Sequence, residues 1–404
     1  MSDRDFEARL ERVIREDITR RRLLGRGAVG LSSLSLAAWL AACGDDNLGG
    51  GQKEETKVIP KGEVAKTLYF ANWPLYIDVD DKTKKRGTLE KFEKEYGTKV
   101  KYVEEVNDNN EFFGKVRQLY AQGNSGGRDI HVVSDWMAAR MKRLGYVQKL
   151  DHAALPNVQK NLIDTLKSPA WDKNRDYSVP WQSGQTGIIY RKDKVKSEPK
   201  SINDIFDPAY KGKTTMLTEM RDTVGLVLLG DGKDPETATL DDMLAACEKI
   251  DKASKSGQIR RFTGNDYTKD IAKGDSWVIF GWSGDAIALT ADNPNIGFIH
   301  PDEGFMLWTD NMQVPVGAPH AYTAEKMMDF VYQPEIQAPI TAYVNYVPPV
   351  KGVKEILEKT DPELTKSQLI FPSDEILAKG KAFRDLKPEE ETQLNSAFQK
   401  VIGA

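Results

Sequence analysis

The chain has 404 residues, 40% hydrophobic and 29% charged, with a formal net charge of −4. That length exceeds what one hydrophobic core ordinarily spans, so two lobes are expected. Interspersed acids and bases exclude a nucleic-acid partner. Two cysteines and four dispersed histidines, in no H-E-x-x-H or paired C-x-x-C spacing, exclude a metal site, and no cofactor is implied.

Residues 1–42 read as an export signal. Arg20, Arg21, Arg22 and Arg26 form a basic region, followed by an uncharged run from Gly27 to Ala42. That run is short for a membrane span of about 20 residues. "TRRRLL" resembles the twin-arginine signal, with Gly25 where that pattern often has Lys. Leu40-Ala41-Ala42-Cys43 resembles a bacterial lipobox, which implies lipidation at Cys43 and a membrane anchor outside the cytoplasm. Residues 43–64, rich in Gly, Asp, Glu and Lys, read as a flexible tether. Cys247, at helical spacing from Met243 and Leu244, reads as a buried thiol, which leaves the folded part without a disulfide.

From Lys66 onward strands and helices alternate. "KTLYFANW" is a predicted strand, "TLEKFEKEYG" a helix stopped by Gly97, "KVKYVEEV" a strand, and "NEFFGKVRQLYAQG" a helix. "DIHVVS" is a third strand and "WMAARMKRLG" a third helix. This order predicts a parallel sheet covered by helices, with ligands received beyond the carboxyl ends of the strands. Trp73, Ser134 and Trp136 fall at those ends. A second α/β unit begins near "DYSVPWQSGQTGIIYR" and includes "KTTMLTEMRDTVGLVLL" and "LDDMLAACEKIDKA". "IFGWSGDAIAL" reads as a buried strand entering a turn, and "GFMLWTDNMQVPVG" as a strand returning to the first unit. The expected division is lobe 1 at 65–180 and 311–350, and lobe 2 at 181–310 and 351–404. Two lobes joined by two or more strands form a cleft that closes on a hinge.

Three stretches repeat one theme. "GWSGDA" offers Trp282 and Asp285. "LWTDN" offers Trp308 and Asp310, two apart and so on one side of a strand. "TEMRD" offers Glu219 and Asp222, three apart and alike in direction in a first helical turn, with Arg221 between them to neutralise one. Trp73, Tyr76, Trp136 and Tyr346 add rings. A desolvated ammonium requires an anionic partner. An aromatic face adds about 0.5–2 kcal/mol per cation and covers methylenes worth about 0.8 kcal/mol each. A flexible diamine or triamine has both features.

The stretches "LYFANW", "DIHVVSDWMAARM", "DYSVPWQSGQTGIIY", "DPAYKGK", "WSGDA", "EGFMLWTDNMQVP" and "YVPP" resemble the spermidine/putrescine-binding proteins of bacterial ABC importers. The resemblance implies an α/β, two-lobed periplasmic-binding fold and a monomer that hands a polyamine to an ABC permease. It also implies Trp73 and Tyr76 stacking on ligand methylenes, with Ser134 and Trp136 beside them. Glu219 and Asp222 would meet one amine, Asp285 and Asp310 the others. Trp282 and Trp308 would sandwich the ligand, and Tyr346 would close one side. Pro74-Leu75 depart from the small polar or acidic residue that often follows the first tryptophan, and Trp136 replaces another aromatic. "EMRD" replaces "DxRE". These departures bear on ligand length.

The rival readings are a binder of another organic cation, an anion or ferric iron, and a secreted hydrolase. An anion site would want basic residues and helix N-termini in the cleft, and Tyr343 with Tyr346 is a weak echo of a ferric site. "GWSGD" approaches G-x-S-x-G around Ser283, but Asp285 replaces the last glycine. "KGKTT" resembles the end of a phosphate loop, but Asp207 stands where its first glycine belongs.

Overall fold

The computed structural model describes residues 57–80 and 82–403. The export-signal, lipobox and Cys43 readings, and most of the tether, therefore lie outside the described residues.

The ten strands among the described residues form one mixed sheet. They are β1 (Thr67–Asn72), β2 (Lys99–Glu104), β3 (Ile130–Ser134), β4 (Val179–Arg191), β5 (Thr214–Leu217), β6 (Ile259–Thr263), β7 (Val278–Trp282), β8 (Ile296–Ile299), β9 (Phe305–Gln313) and β10 (Gly380–Lys381). The order is β2-β1-β3-β9-β4-β7-β5-β6, with β8 added to β4 and β10 to β9. At one end β1 runs parallel to β2 and β3, as the alternating pattern predicts. At the other end β5 runs parallel to β6 and β7. Between these parallel groups lie two long antiparallel strands, β4 and β9, paired from Val179–Met312 to Thr186–Met306. The far part of β4 pairs with β7 and the far part of β9 with β3. The chain thus passes between the two ends of the sheet along β4 and returns along β9.

Each end has its own apolar interior. Leu68, Phe70, Ile130, Trp181, Met312 and Phe330 belong to one core, whose Phe70 and Trp181 rings meet edge-on at 5.6 Å. Ile188, Met216, Val227, Ile250, Phe280 and Phe398 belong to another. A third group, including Phe112, Val133 and Met137, surrounds the helices after β2 and β3. The C-terminal segment serves two cores. Val353 and Leu357 join the first, whereas Leu386 and Leu394 join the second. Cys247 is buried in the second core, and burial pushes its thiol up to about 12, which makes it unreactive.

Local chemistry sets the element ends that face the middle of the sheet. Asp108 caps helix Asn109–Ala121 by accepting from the Asn110 and Glu111 amides at 2.8 and 3.0 Å. Such a cap contributes about 1 kcal/mol. The turn after β1 reverses through Leu75, an exposed residue with φ of 58°. A side chain in that left-handed region costs roughly 1 kcal/mol or more. The turn delivers Tyr76 into the interior. The turn expected after Trp282 is not one: β7 passes directly into helix Ser283–Asp292 with Trp282 as its N-cap residue. Small Ser283 and Gly284 permit this. A Cβ on Gly284 would lie 2.5 Å from the Tyr346 ring, so only glycine lets the first turn seat under that ring.

Candidate ligand-binding site

The site begins with the parity of β4 and β9. Trp308 and Asp310 lie on one face of β9, two residues apart. Their register partners on β4 are Gly184 and Gln182, and cross-strand partners project to the same side. Thr186 continues the row. Trp308 lies so close over Gly184 that a Cβ there would come within 2.1 Å of the indole.

Asp310 is 5% exposed. Its two oxygens accept from Tyr76 Oη at 2.8 Å and Ser134 Oγ at 2.7 Å. Ser134 is held in turn by Asn109 Nδ2 at 3.0 Å. Burial pushes the Asp310 carboxyl up to about 7. The two hydroxyls pull against that rise, and the charges of Asp135 and Asp222 add to it.

Asp222, in the first turn of helix Met220–Gly230, accepts from Thr186 Oγ1 and Trp282 Nε1, both at 2.8 Å. The same Thr186 oxygen accepts from Trp308 Nε1 at 3.1 Å. One Thr–Asp pair therefore fixes the N–H edge of both indoles. Burial raises Asp222 to about 6 against these hydrogen bonds. Asp285, in the first turn after Trp282, accepts from Tyr267 Oη at 2.5 Å and is likewise pushed up to about 6 by burial. Tyr267 also accepts the Trp282 amide proton and meets its ring edge-on at 5.7 Å.

Tyr346 gathers these groups. Its ring meets Trp308 at 5.1 Å and Tyr76 at 5.8 Å, both edge-on. Its phenol is pushed well above its usual value by burial, then by the charges of Asp285, Asp310 and Asp222. The charges of three carboxylates from three distant stretches thus bear on one phenol. None of the three has a Lys or Arg ion pair among the described residues.

The remaining expected residues stand apart to different degrees. Glu219 is the N-cap residue of helix Met220–Gly230 and is partly buried. Burial, then the charges of Asp222 and Asp108, push it up to about 8. Arg221, expected to neutralise one acid of this pair, forms its ion pair with Glu391 at 2.9 Å, while its charge and its backbone amide pull against the rise at Glu219. Glu391 also pairs with Arg143 at 3.1 Å. The Arg221 guanidinium lies 3.8 Å above the Trp136 ring. Trp136 therefore lines a separate cavity of about 290 Å³ with Arg143, Arg221 and Glu391. Trp73 packs between two cores, and its indole N–H is buried with no partner among the described residues. Among the described residues no group of three His, Cys, Asp or Glu could hold a metal ion.

Sequence reasoning missed Thr186, Tyr267, Asn109 and Gln182. For Thr186 and Gln182 the signal was present as the even positions of "QSGQT", which share the face of Gly184. Tyr267 had no local signal. Gly184→Ala should drive the Trp308 indole off its seat. We expect a stability loss of about 1–3 kcal/mol in denaturant unfolding, together with weaker ligand binding.

The chain is similar to known proteins in sequence and in fold. Residues 88–372 match the family described as bacterial extracellular solute-binding protein. The spermidine/putrescine-binding periplasmic protein 1 of Haemophilus influenzae is 28% identical over 85% of this chain and 89% of its own. The spermidine/putrescine-binding periplasmic protein of Escherichia coli is 26% identical over 79% and 87%. A solved structure, a putative spermidine/putrescine ABC transporter from Listeria monocytogenes, superposes with a TM-score of 0.73. It is 28% identical and covers 83% of this chain and 99% of its own. The mixed sheet with its two parallel ends is the two-lobed periplasmic-binding fold of such structures, as the sequence resemblance implied. An extracytoplasmic location follows from the match. The chain is a member of the bacterial extracellular solute-binding protein family.

Proposed function

We propose that the protein captures a polyamine, spermidine or putrescine, between its lobes and delivers it to an ABC permease. The observation that carries this reading is the trio Asp222, Asp310 and Asp285, the first two buried and the third partly so, held only by neutral donors and set among Trp282, Trp308, Tyr76 and Tyr346. Buried carboxylates without counter-charges are costly. A slender polycation supplies those charges, and its methylenes suit the rings between them. Glu219 adds a fourth acid, and Trp73 and Ser134 contribute from the first lobe; Trp136, stacked on Arg221 in its own cavity, stands outside this group. The role is binding, with no chemical step.

In this reading lobe 1 comprises 65–180 and 311–350 and, beyond the expected division, the helix that carries Val353 and Leu357; lobe 2 comprises 181–310 and the later part of 351–404, with Leu386 and Leu394, and β4 and β9 act as the hinge strands. The chain works as a monomer, exported by the twin-arginine route and anchored through a lipid on Cys43. The names of the H. influenzae and E. coli relatives support the ligand class.

Calorimetric titration of the purified mature chain with putrescine, cadaverine, spermidine and spermine tests the reading. Ligand at about 1,000 times its Kd should stabilise the folded chain by about 4 kcal/mol. No response to any of these amines, alongside a clear response to another solute, would overturn it.

A further inference from the structure

Gln182 is fully buried, with 0% exposure, and both its amide oxygen and its amide nitrogen lack a hydrogen-bond partner among the described residues. It is the only side chain among them for which two buried polar atoms are so left. Two other buried glutamines on the same scaffold, Gln258 and Gln313, are anchored at the amide nitrogen. Gln258 donates to the Ile205 and Asp207 carbonyls, and Gln313 to those of Ala138 and Tyr177. A buried amide left unpaired on both sides is a large local cost.

Its place in the sheet gives the cost a use. Gln182 is the register partner of Asp310 and shares a face with Gly184 and Thr186, the row that carries Trp308 and holds Asp222. On its other flank, Ser183 bridges Val347, which sets the Tyr346 segment beside the same row. The strand is irregular just before it, between Pro180 and Gln182. Such irregularities commonly re-aim a side chain.

We infer that Gln182 is a ligand-contacting residue that reads the amine neutralised by Asp310. The inference rests on the polyamine reading above. An ammonium has three N–H donors. The Asp310 oxygens already accept from Tyr76 and Ser134, so a buried ammonium needs another acceptor nearby, which the Gln182 Oε1 supplies. Asp310 retains lone pairs for the Gln182 Nε2. Charge and amide thus act on one nitrogen. A primary amine fits this pair better than a trimethylated nitrogen, which has no N–H to give.

Gln182→Met keeps the volume and removes both polar atoms. Affinity for spermidine and putrescine should fall roughly tenfold to a hundredfold, the worth of a hydrogen bond to a charged group. The free variant should melt higher than wild type, because the unpaired amide is gone. A purely structural glutamine would give the reverse, a lower melting temperature with affinity unchanged. Gln182→Glu keeps an acceptor, so its affinity at pH 8 should stay within about threefold of wild type or tighten. Equal affinity in wild type and Gln182→Met overturns the inference alone, as does a Gln182→Glu variant as weak as Gln182→Met. A wild-type chain that binds no amine overturns the reading beneath it.

Discussion

Asp310→Asn is expected to weaken polyamine binding by about 3–4 kcal/mol, roughly 100- to 1,000-fold, because it leaves a buried ammonium without its charge. The fold should tolerate the change. Both partners of Asp310 are hydroxyls, Tyr76 Oη and Ser134 Oγ, and a hydroxyl that donates to a carboxylate can turn to accept from an amide. Charge burial is what pushes this carboxyl up to about 7. At pH 8 the free variant should therefore melt higher than wild type even as it binds less. Calorimetric titration beside thermal unfolding checks both halves. Wild-type affinity in the variant would mean that the ammonium is held elsewhere.

Affinity should also fall steeply with acid. Glu219 stands at about 8, Asp310 at about 7, and Asp222 and Asp285 at about 6, each raised first by burial. A polyamine remains protonated across this range and requires these groups ionised. Between pH 8 and pH 5.5 we expect a loss of about 100-fold or more, since each carboxyl that must release a proton contributes up to tenfold per pH unit below its pKa.

Stability of the free chain should move the other way. These carboxyls are raised, so the folded state binds their protons more tightly than the unfolded state does. Their contribution to stability is fully present below the unfolded value near 4 and is lost as pH rises through about 6 to 8. Binding at pH 6.5 should accordingly release protons, seen as an enthalpy that depends on the buffer's own ionisation heat. Affinity that stays flat from pH 8 to 5.5 would mean that the carboxylates do not carry the ligand.

The local readings held where the information was local. Strand and helix order from Lys66 onward appears as the parallel groups around β1 and β5, because periods of two and of about four residues express which side of an element meets the core. Trp308 and Asp310 share a face of β9, as their spacing predicts, but the hydrogen-bond partners of the acids are not their neighbours in sequence. Trp282 was read with Asp285 and Trp308 with Asp310, yet the Trp282 N–H goes to Asp222, 60 residues away. Asp310 is held by residues 234 and 176 positions away. The turn expected at Trp282 became the first turn of a helix, since a glycine whose freedom is used for close packing under Tyr346 looks in sequence like a turn signal.

Residue types and their periodicity thus determined, without any coordinates, the α/β class and the supply of rings and acids near strand ends. The chain fold alone decided which acid faces which ring, that Trp136 and Arg221 stack in a cavity of their own, and that Gln182 lies unpaired beside Asp310. Backbone periodicity is a nearest-neighbour property and is written in the chain. Hydrogen bonds and charge interactions depend on distances between segments far apart in it, and those are set only when β4 and β9 bring the two ends of the sheet together.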